Sequence, residues 1–131
     1  MKKIFYISLY ILLIGCLDKK SCKNAICTEV FSMVTVKINI PWSIPVSEIS
    51  TQTVLLSSPH VIHVQTAPSG SQNNVFTIVD DSDLQELGFK SNQTVEFKIL
   101  RNGTVISSSQ FVIITDCCHV TKIEGPEQIN L

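Results

Sequence analysis

The feature that most constrains the fold of this chain is a pair of alternating stretches joined by an Asn-Gly turn. In residues 93–115, QTVEFKILRNGTVISSSQFVIIT, apolar and polar residues alternate from Val95 to Ile99, ahead of the turn. Alternation with a period of two predicts a β-strand that buries one face. The Asn102-Gly103 pair tolerates the positive φ angles of a type I′ turn, whose twist matches that of paired strands. We therefore predict a β-hairpin over these residues.

The rest of the chain also has the pattern of short strands. Alternation recurs in VTVKINI, where Val34, Val36 and Ile38 share one face. Further strands are predicted for QTVLLSS, HVIHVQT, VFTIV and TKIEG, which are separated by turns rich in Pro, Gly and Asn. About seven short strands of this kind predict an all-β protein, a single antiparallel β-sandwich of the immunoglobulin-like or prealbumin-like type.

Only the stretch DDSDLQELGF has helical signals. Ser82 and Gln85 have the spacing of a capping box, in which two side chains satisfy backbone N–H groups at the start of a helix. Gly88 suits the residue that ends a helix, because glycine adopts a positive φ without strain. We therefore predict one short helical turn near residues 82–87.

The N-terminus is predicted to be an export signal with a lipid-attachment site. Residues 1–15 begin with two lysines and continue as an apolar run, which is shorter than the roughly 20 residues that a membrane-spanning helix needs. The run ends in LIGC, which resembles the lipobox of bacterial lipoproteins. That resemblance implies cleavage before Cys16 and the attachment of acyl chains such as palmitate to this residue. Several acyl chains make a lasting membrane anchor.

Lipidation also predicts the domain organisation of the chain. Residues 1–15 would be the signal peptide, residues 16–25 the lipidated cysteine and a tether, and residues 26–131 the β-sandwich domain. A length of 131 residues suits one domain. The formal net charge of -1 argues against a nucleic-acid-binding protein, which usually carries a basic surplus.

Lipidation of Cys16 would account for the odd number of cysteines. The chain has 5 cysteines, and the others are Cys22, Cys27, Cys117 and Cys118. In an oxidising envelope these thiols are expected to form disulfides, for which three connectivities exist. A disulfide between adjacent residues distorts the peptide unit, so we expect each N-terminal cysteine to bond to one member of the C-terminal pair. The sequence leaves open which cysteine joins which.

The two adjacent cysteines are predicted to lie in a strand, where neighbouring side chains point to opposite faces. Cys117 and Cys118 would then reach different partners. Closing a loop of roughly 90 residues would stabilise the fold by about 4 to 5 kcal/mol. The alternative is a metal site or a thiol centre formed by these cysteines and His119. Structural zinc sites usually space their cysteines two to four residues apart, which disfavours this alternative.

Several motifs resemble those of small envelope lipoproteins of the Bacteroidetes. CTEVF opens the first strand, NGTVIS forms a strand-turn-strand, and DCCHV and EGPEQI stand near the end. The resemblance covers Cys27 to Leu131 and implies a sandwich similar to the prealbumin-like or immunoglobulin-like regulatory domains of carboxypeptidases. It also implies a location in the cell envelope, and it carries no active site over to this chain. The sequence departs from the group in IPWSIPV, where an Asp/Gly turn is expected.

The remaining polar and aromatic residues predict no catalytic or metal site. His60 and His63 would fall on opposite faces of a strand and so would not share a metal ion. The aspartates of DDSD lack the glycine and the distal glutamate of a calcium-binding loop. Trp42, in a connector flanked by prolines, is a candidate contact for a ligand or partner.

These observations predict a non-enzymatic, lipid-anchored module of the cell envelope. It would be held on the outer membrane by the lipid on Cys16, need no cofactor, and bind a protein or glycan partner or have a structural role. The alternative is a small thiol-redox or metal-binding envelope protein that uses Cys117, Cys118 and His119. A count of free thiols distinguishes the two hypotheses.

Overall fold

The structure is a computed structural model, which describes residues 22–68 and 74–131. Within these ranges the chain forms short strands connected by tight turns and brief helical segments. In chain order the elements are β1 (Met33–Asn39), a 3-10 turn (Val46–Glu48), β2 (Ile49–Leu55), β3 (His60–Gln65), β4 (Val75–Asp80), a second 3-10 turn (Asp81–Asp83), α1 (Leu84–Leu87), β5 (Asn92–Arg101), β6 (Thr104–Thr115), β7 (Val120–Glu124) and β8 (Gln128–Asn130).

The strands form two sheets, which confirms the predicted β-sandwich. One sheet has three strands in the order β4-β1-β8, and the other has five strands in the order β3-β2-β5-β6-β7. All strand pairs in the described residues are antiparallel except β1 and β8, which run parallel. The chain reaches β8 by leaving the five-stranded sheet after Glu124 and crossing to the other sheet, so it arrives in the same direction as β1. The described residues thus contain eight strands rather than about seven, with one parallel pair.

The core lies between the two sheets and is built from the alternating residues. β1 buries Val34, Val36 and Ile38, as the period of two predicts. Phe97 of β5 and Phe111 of β6 are both fully buried, with ring centroids 6.0 Å apart in an edge-to-face arrangement. Such aromatic pairs add a favourable quadrupole interaction to the burial of their surface. The core therefore gains stability both from area removed from water and from specific ring packing.

Two turns depend on backbone conformations that glycine adopts easily. Asn102 has a φ of 48° and Gly103 a φ of 83°, which confirms the predicted type I′ turn of the β5–β6 hairpin. Gly125, between β7 and β8, has a φ of 127°, and a Cβ at this position would lie 2.2 Å from Cδ1 of Phe111. Only glycine allows the chain to pass this close to the core as it crosses between sheets.

The predicted helical turn is present, but its N-terminal cap is not the predicted one. The Asp80 side chain accepts a hydrogen bond from the Ser82 N–H, and the Asp83 side chain accepts one from the Asp80 N–H. The cap therefore lies two residues before Ser82, because a 3-10 turn precedes α1. Gly88 ends the helix with a φ of 81°, as predicted.

Candidate functional site

The most heavily cross-linked region of the molecule joins the N-terminal segment to the β6–β7 loop. Cys22 is bonded to Cys117 and Cys27 to Cys118, and both bonds have a Cα–Cα distance of 5.4 Å. This is one of the connectivities that the sequence left open. We call residues 22–32 together with the loop 116–119 the stapled end. Cys16, the predicted lipidation site, lies outside the described residues.

The adjacent cysteines lie in the loop between β6 and β7, so their predicted placement in a strand is wrong. The loop is shaped by Asp116, whose Oδ1 accepts hydrogen bonds from the N–H groups of Cys118 at 2.6 Å and His119 at 2.7 Å. These two bonds hold the pKa of the Asp116 carboxyl below its ordinary value. The two sulfur atoms reach different partners because the backbone turns in this loop, not because side chains alternate along a strand.

A chain of hydrogen bonds runs beside the disulfides from Asp81 through His119 to Thr28. The Oδ2 atom of Asp81 lies 2.8 Å from Nδ1 of His119, and Nε2 of His119 lies 3.0 Å from the Thr28 hydroxyl. An ionised carboxylate only accepts hydrogen bonds, so Nδ1 carries the proton, and a neutral ring accepts the Thr28 hydroxyl at Nε2. The chain of bonds thus connects three separate segments of sequence.

Asp81 is the centre of this arrangement. Its carboxylate also accepts hydrogen bonds from the N–H groups of Ser32 at 2.7 Å and Val120 at 2.9 Å. Burial by itself would raise the pKa of this carboxyl, but the bonds from Ser32, His119 and Val120 outweigh burial and lower the pKa. The charge of this half-buried carboxylate is therefore compensated by donors from both sides of the stapled end.

The order carboxylate, imidazole, hydroxyl is also the order of a Ser-His-Asp triad. Acyl-transfer chemistry needs in addition N–H donors directed at a developing oxyanion. Here the neighbouring N–H groups of Cys118, His119 and Val120 are already bonded to the carboxylates of Asp116 and Asp81. We therefore interpret the chain of bonds as a clamp that holds Thr28 and its disulfide-bonded neighbour against the β6–β7 loop.

Each of the 3 histidines in the chain contacts a carboxylate of residues 81–86. His60 Nε2 lies 3.0 Å from Glu86, and His63 Nδ1 lies 3.0 Å from Asp83. The hydrogen bond that His60 donates to Glu86 and its contact with the Ser58 carbonyl raise the pKa of His60. The hydrogen bond to Asp83 raises the pKa of His63 against the opposing effect of burial. His60 and His63 contact different carboxylates, in keeping with their predicted separation.

Trp42 lies at the other end of β1 from the stapled end, and its side chain is fully exposed. It lines a shallow apolar cleft with neighbouring residues of the connector and with Asn74. The Asn74 Oδ1 atom is buried and accepts no hydrogen bond from the described part of the chain. The Asn102 N–H donates to the Glu48 carbonyl, which places the β5–β6 turn beside the connector. We call residues 40–48 and this turn the Trp42 end.

The sequence singled out the cysteines, His119 and Trp42, but not their hydrogen-bonding partners. Thr28 and Asp116 were visible only as parts of the motifs CTEVF and DCCHV. From the sequence, Asp81 is a candidate for the start of a helix or for a calcium ligand. Its contact with His119, 38 positions away in the chain, produces no local pattern in the sequence.

Neither a family model, nor a curated protein, nor a solved structure matches this chain. In residues 22–68 and 74–131, no helix is long and apolar enough to cross a membrane. Disulfides persist in oxidising compartments, so the two N-to-C bonds indicate an extracytoplasmic location.

Proposed function

We propose that this chain is a lipid-anchored, non-catalytic module of the cell envelope that presents its Trp42 end to a protein or glycan partner. The observation that carries the proposal is the position of the Cys22–Cys117 bond. Cys22 follows the proposed lipidation site by only six residues in the sequence. A lipid on Cys16 would therefore hold the stapled end near the outer membrane.

The Trp42 end would then point away from the membrane. β1 connects the two ends, and its seven residues span roughly 23 Å at the rise of an extended strand. The exposed indole, the neighbouring prolines and the exposed hydroxyl of Ser43 give this end both apolar and polar contact groups. Exposed tryptophans on rigid supports are favoured contacts in protein interfaces.

The alternative, a thiol-redox or metal-binding protein using Cys117, Cys118 and His119, receives less support from the geometry. Both sulfur atoms are bonded to N-terminal cysteines, and His119 is engaged by Asp81 and Thr28. A disulfide-bonded sulfur is neither a nucleophile nor a thiolate ligand. A free-thiol count on protein purified without reductant would support this alternative only if it found reduced Cys117 or Cys118.

The anchor is tested with Cys16→Ser. We expect this variant to lose acylation and to accumulate as uncleaved precursor or as protein that washes off membranes. Normal maturation and unchanged membrane fractionation would contradict the lipid anchor.

The partner contact is tested with a photo-crosslinking amino acid at Ser43, which leaves Trp42 in place, and with a matched variant at Asn24 in the stapled end. Both positions are exposed. In intact cells we expect a discrete adduct with an envelope protein or glycan from position 43 and a different pattern from position 24. Identical patterns, or no adduct at position 43, would contradict a contact at the Trp42 end.

A further inference from the structure

The side chains of His63, Asp80 and Asp83 converge at the corner where β3 meets the end of β4. Each residue places one ligand atom within 4.8 Å of the ligand atoms of the other two. His63 belongs to the edge strand of the five-stranded sheet, whereas Asp80 ends a strand of the three-stranded sheet. Potential metal ligands from both sheets thus meet at one corner of the sandwich. This corner is separate from the disulfides and from the Trp42 end.

The distances suit a small metal ion. Nδ1 of His63 lies 3.0 Å from Oδ2 of Asp83. Two ligand atoms that share a tetrahedral Zn²⁺ at ordinary bond lengths lie about 3.3 Å apart. An ion could therefore replace the proton between the His63 and Asp83 atoms if they separated by only a few tenths of an ångström.

The charge and burial of the site also favour a cation. The exposed fraction of Asp83 is 6%, and Asp80 and His63 are half-buried. Two carboxylates here face a single imidazole, and a buried negative charge is costly unless it is compensated. Because His63 and Asp80 are only half-buried, water could complete the coordination of an ion.

The donor set indicates which ion is preferred. One imidazole and two carboxylates suit Zn²⁺ and similar transition metals, whereas Ca²⁺ takes six to eight oxygen ligands. Asp81, the intervening aspartate, is not part of the set, because its oxygens do not converge with those of the other three residues and are bonded to His119, Ser32 and Val120 instead. Asp80 and Asp83 thus serve both the helix cap and the proposed ion site, whereas Asp81 serves the stapled end.

We propose that His63, Asp80 and Asp83 bind a divalent transition metal ion, with Zn²⁺ as the best match. The bound ion ties the edge of one sheet to the end of a strand in the other. This site is independent of the anchor and of the partner contact, so its failure leaves the proposed function untouched.

The test is calorimetric titration of the full chain, purified in detergent and stripped with a chelator, with zinc chloride and separately with calcium chloride. We expect one Zn²⁺ per chain and weaker Ca²⁺ binding. His63→Gln should weaken Zn²⁺ binding by about tenfold or more. This variant leaves the cap formed by Asp80 and Asp83 intact, so the fold should be retained, which circular dichroism checks.

His60→Gln is the matched control, because His60 lies three positions away and also contacts a carboxylate, Glu86. We expect its Zn²⁺ affinity to equal that of the unaltered chain. The absence of Zn²⁺ binding, binding unchanged in His63→Gln, equal losses in both variants, or tighter binding of Ca²⁺ than of Zn²⁺ would each overturn the proposal.

Discussion

The two ends of the sandwich are held in opposite ways. At the stapled end, two disulfides and the Thr28–His119 hydrogen bond join segments 91 to 95 positions apart in the chain. At the Trp42 end, the connector is held to the β5–β6 hairpin by polar contacts of Glu48 with Arg101 and Asn102. In the described residues, both disulfides therefore lie at the stapled end, whereas the Trp42 end is held by polar contacts and by a stiff backbone.

Local stiffness at the Trp42 end comes from proline. Pro41 and Pro45 flank the tryptophan, and each fixes its own φ angle. A side chain on a preorganised connector loses little conformational entropy when it binds. The comparison teaches that an exposed aromatic group can be held in a stiff connector without cross-links, whereas the N-terminal segment is fastened to the sandwich by two disulfides.

The largest difference between the ends should appear when the disulfides are removed. Replacing all four bonded cysteines by alanine should lower the free energy of unfolding by about 5 kcal/mol or more, because the denatured chain regains the entropy of a long loop. Removing either bond alone should cost only about 2 kcal/mol, since the remaining bond still closes that loop. Urea denaturation measures both quantities.

Within the single removals, we expect loss of the Cys27–Cys118 bond to cost more than loss of Cys22–Cys117. Cys27 directly precedes Thr28, which is held by His119, whereas Cys22 lies six positions before Thr28 in the chain. Strict additivity of the two removals would show that the two disulfides do not close one shared loop. A larger cost for the Cys22–Cys117 bond would contradict the role given to the contact between Thr28 and His119.

The next largest effect is expected for Asp81→Asn. The amide has a single accepting oxygen and cannot accept three hydrogen bonds from Ser32, His119 and Val120 as the carboxylate does, so at least one partly buried donor loses its partner. The free energy of unfolding should fall by about 2 to 3 kcal/mol. The control is Glu86→Gln, whose contact with His60 is exposed and should matter by less than about 0.5 kcal/mol. Equal effects would refute the central role of Asp81.

Acid should weaken the stapled end through Asp116. The pKa of this carboxyl is lowered in the folded chain from 3.8, so its stabilising effect is complete above that value and is lost as the pH falls through the folded pKa. Asp116→Asn should therefore destabilise the protein at neutral pH and approach the unaltered chain in strong acid. Denaturation curves at several pH values test this, and a pH-independent difference would contradict it.

The smallest effect on stability is expected for Trp42→Ala. The indole is fully exposed, so its loss should change the free energy of unfolding by less than about 0.5 kcal/mol. The same change should abolish the adduct formed from position 43. A large loss of stability would show that Trp42 is a packing residue, and an undiminished adduct would show that the partner does not contact it.

Local patterns were sufficient to predict the β-sandwich, the type I′ hairpin and the end of the helix at Gly88. They were insufficient for β8, because the parallel pairing of β8 with β1 produces no pattern in the sequence of either strand. The helix cap was misplaced for a related reason: Asp80 and Ser82 are both good cap residues, and the 3-10 turn that selects Asp80 depends on its contact with Asp83.

At the candidate site, the sequence predicted that the N-terminal cysteines would bond to the C-terminal pair, but it left open which cysteine joins which. Adjacent cysteines far from an N-terminal pair favour two N-to-C bonds, yet their connectivity depends on the loop that Asp116 shapes. The histidine–carboxylate contacts were missed because they join positions 20 to 38 residues apart. Such contacts are a property of the folded surface and have no periodic signal.

The orientation of the two ends relative to the membrane is the central claim, and the chain carries its own reporter, because Trp42 is its only tryptophan. The protein carrying the acyl chains proposed for Cys16, reconstituted in vesicles with dansyl-labelled lipid headgroups, can be compared with a Trp42→Phe variant that carries Ile26→Trp at the stapled end. We predict efficient energy transfer to the lipid from position 26 and much weaker transfer from Trp42. Equal transfer from both positions, or stronger transfer from Trp42, would contradict the account.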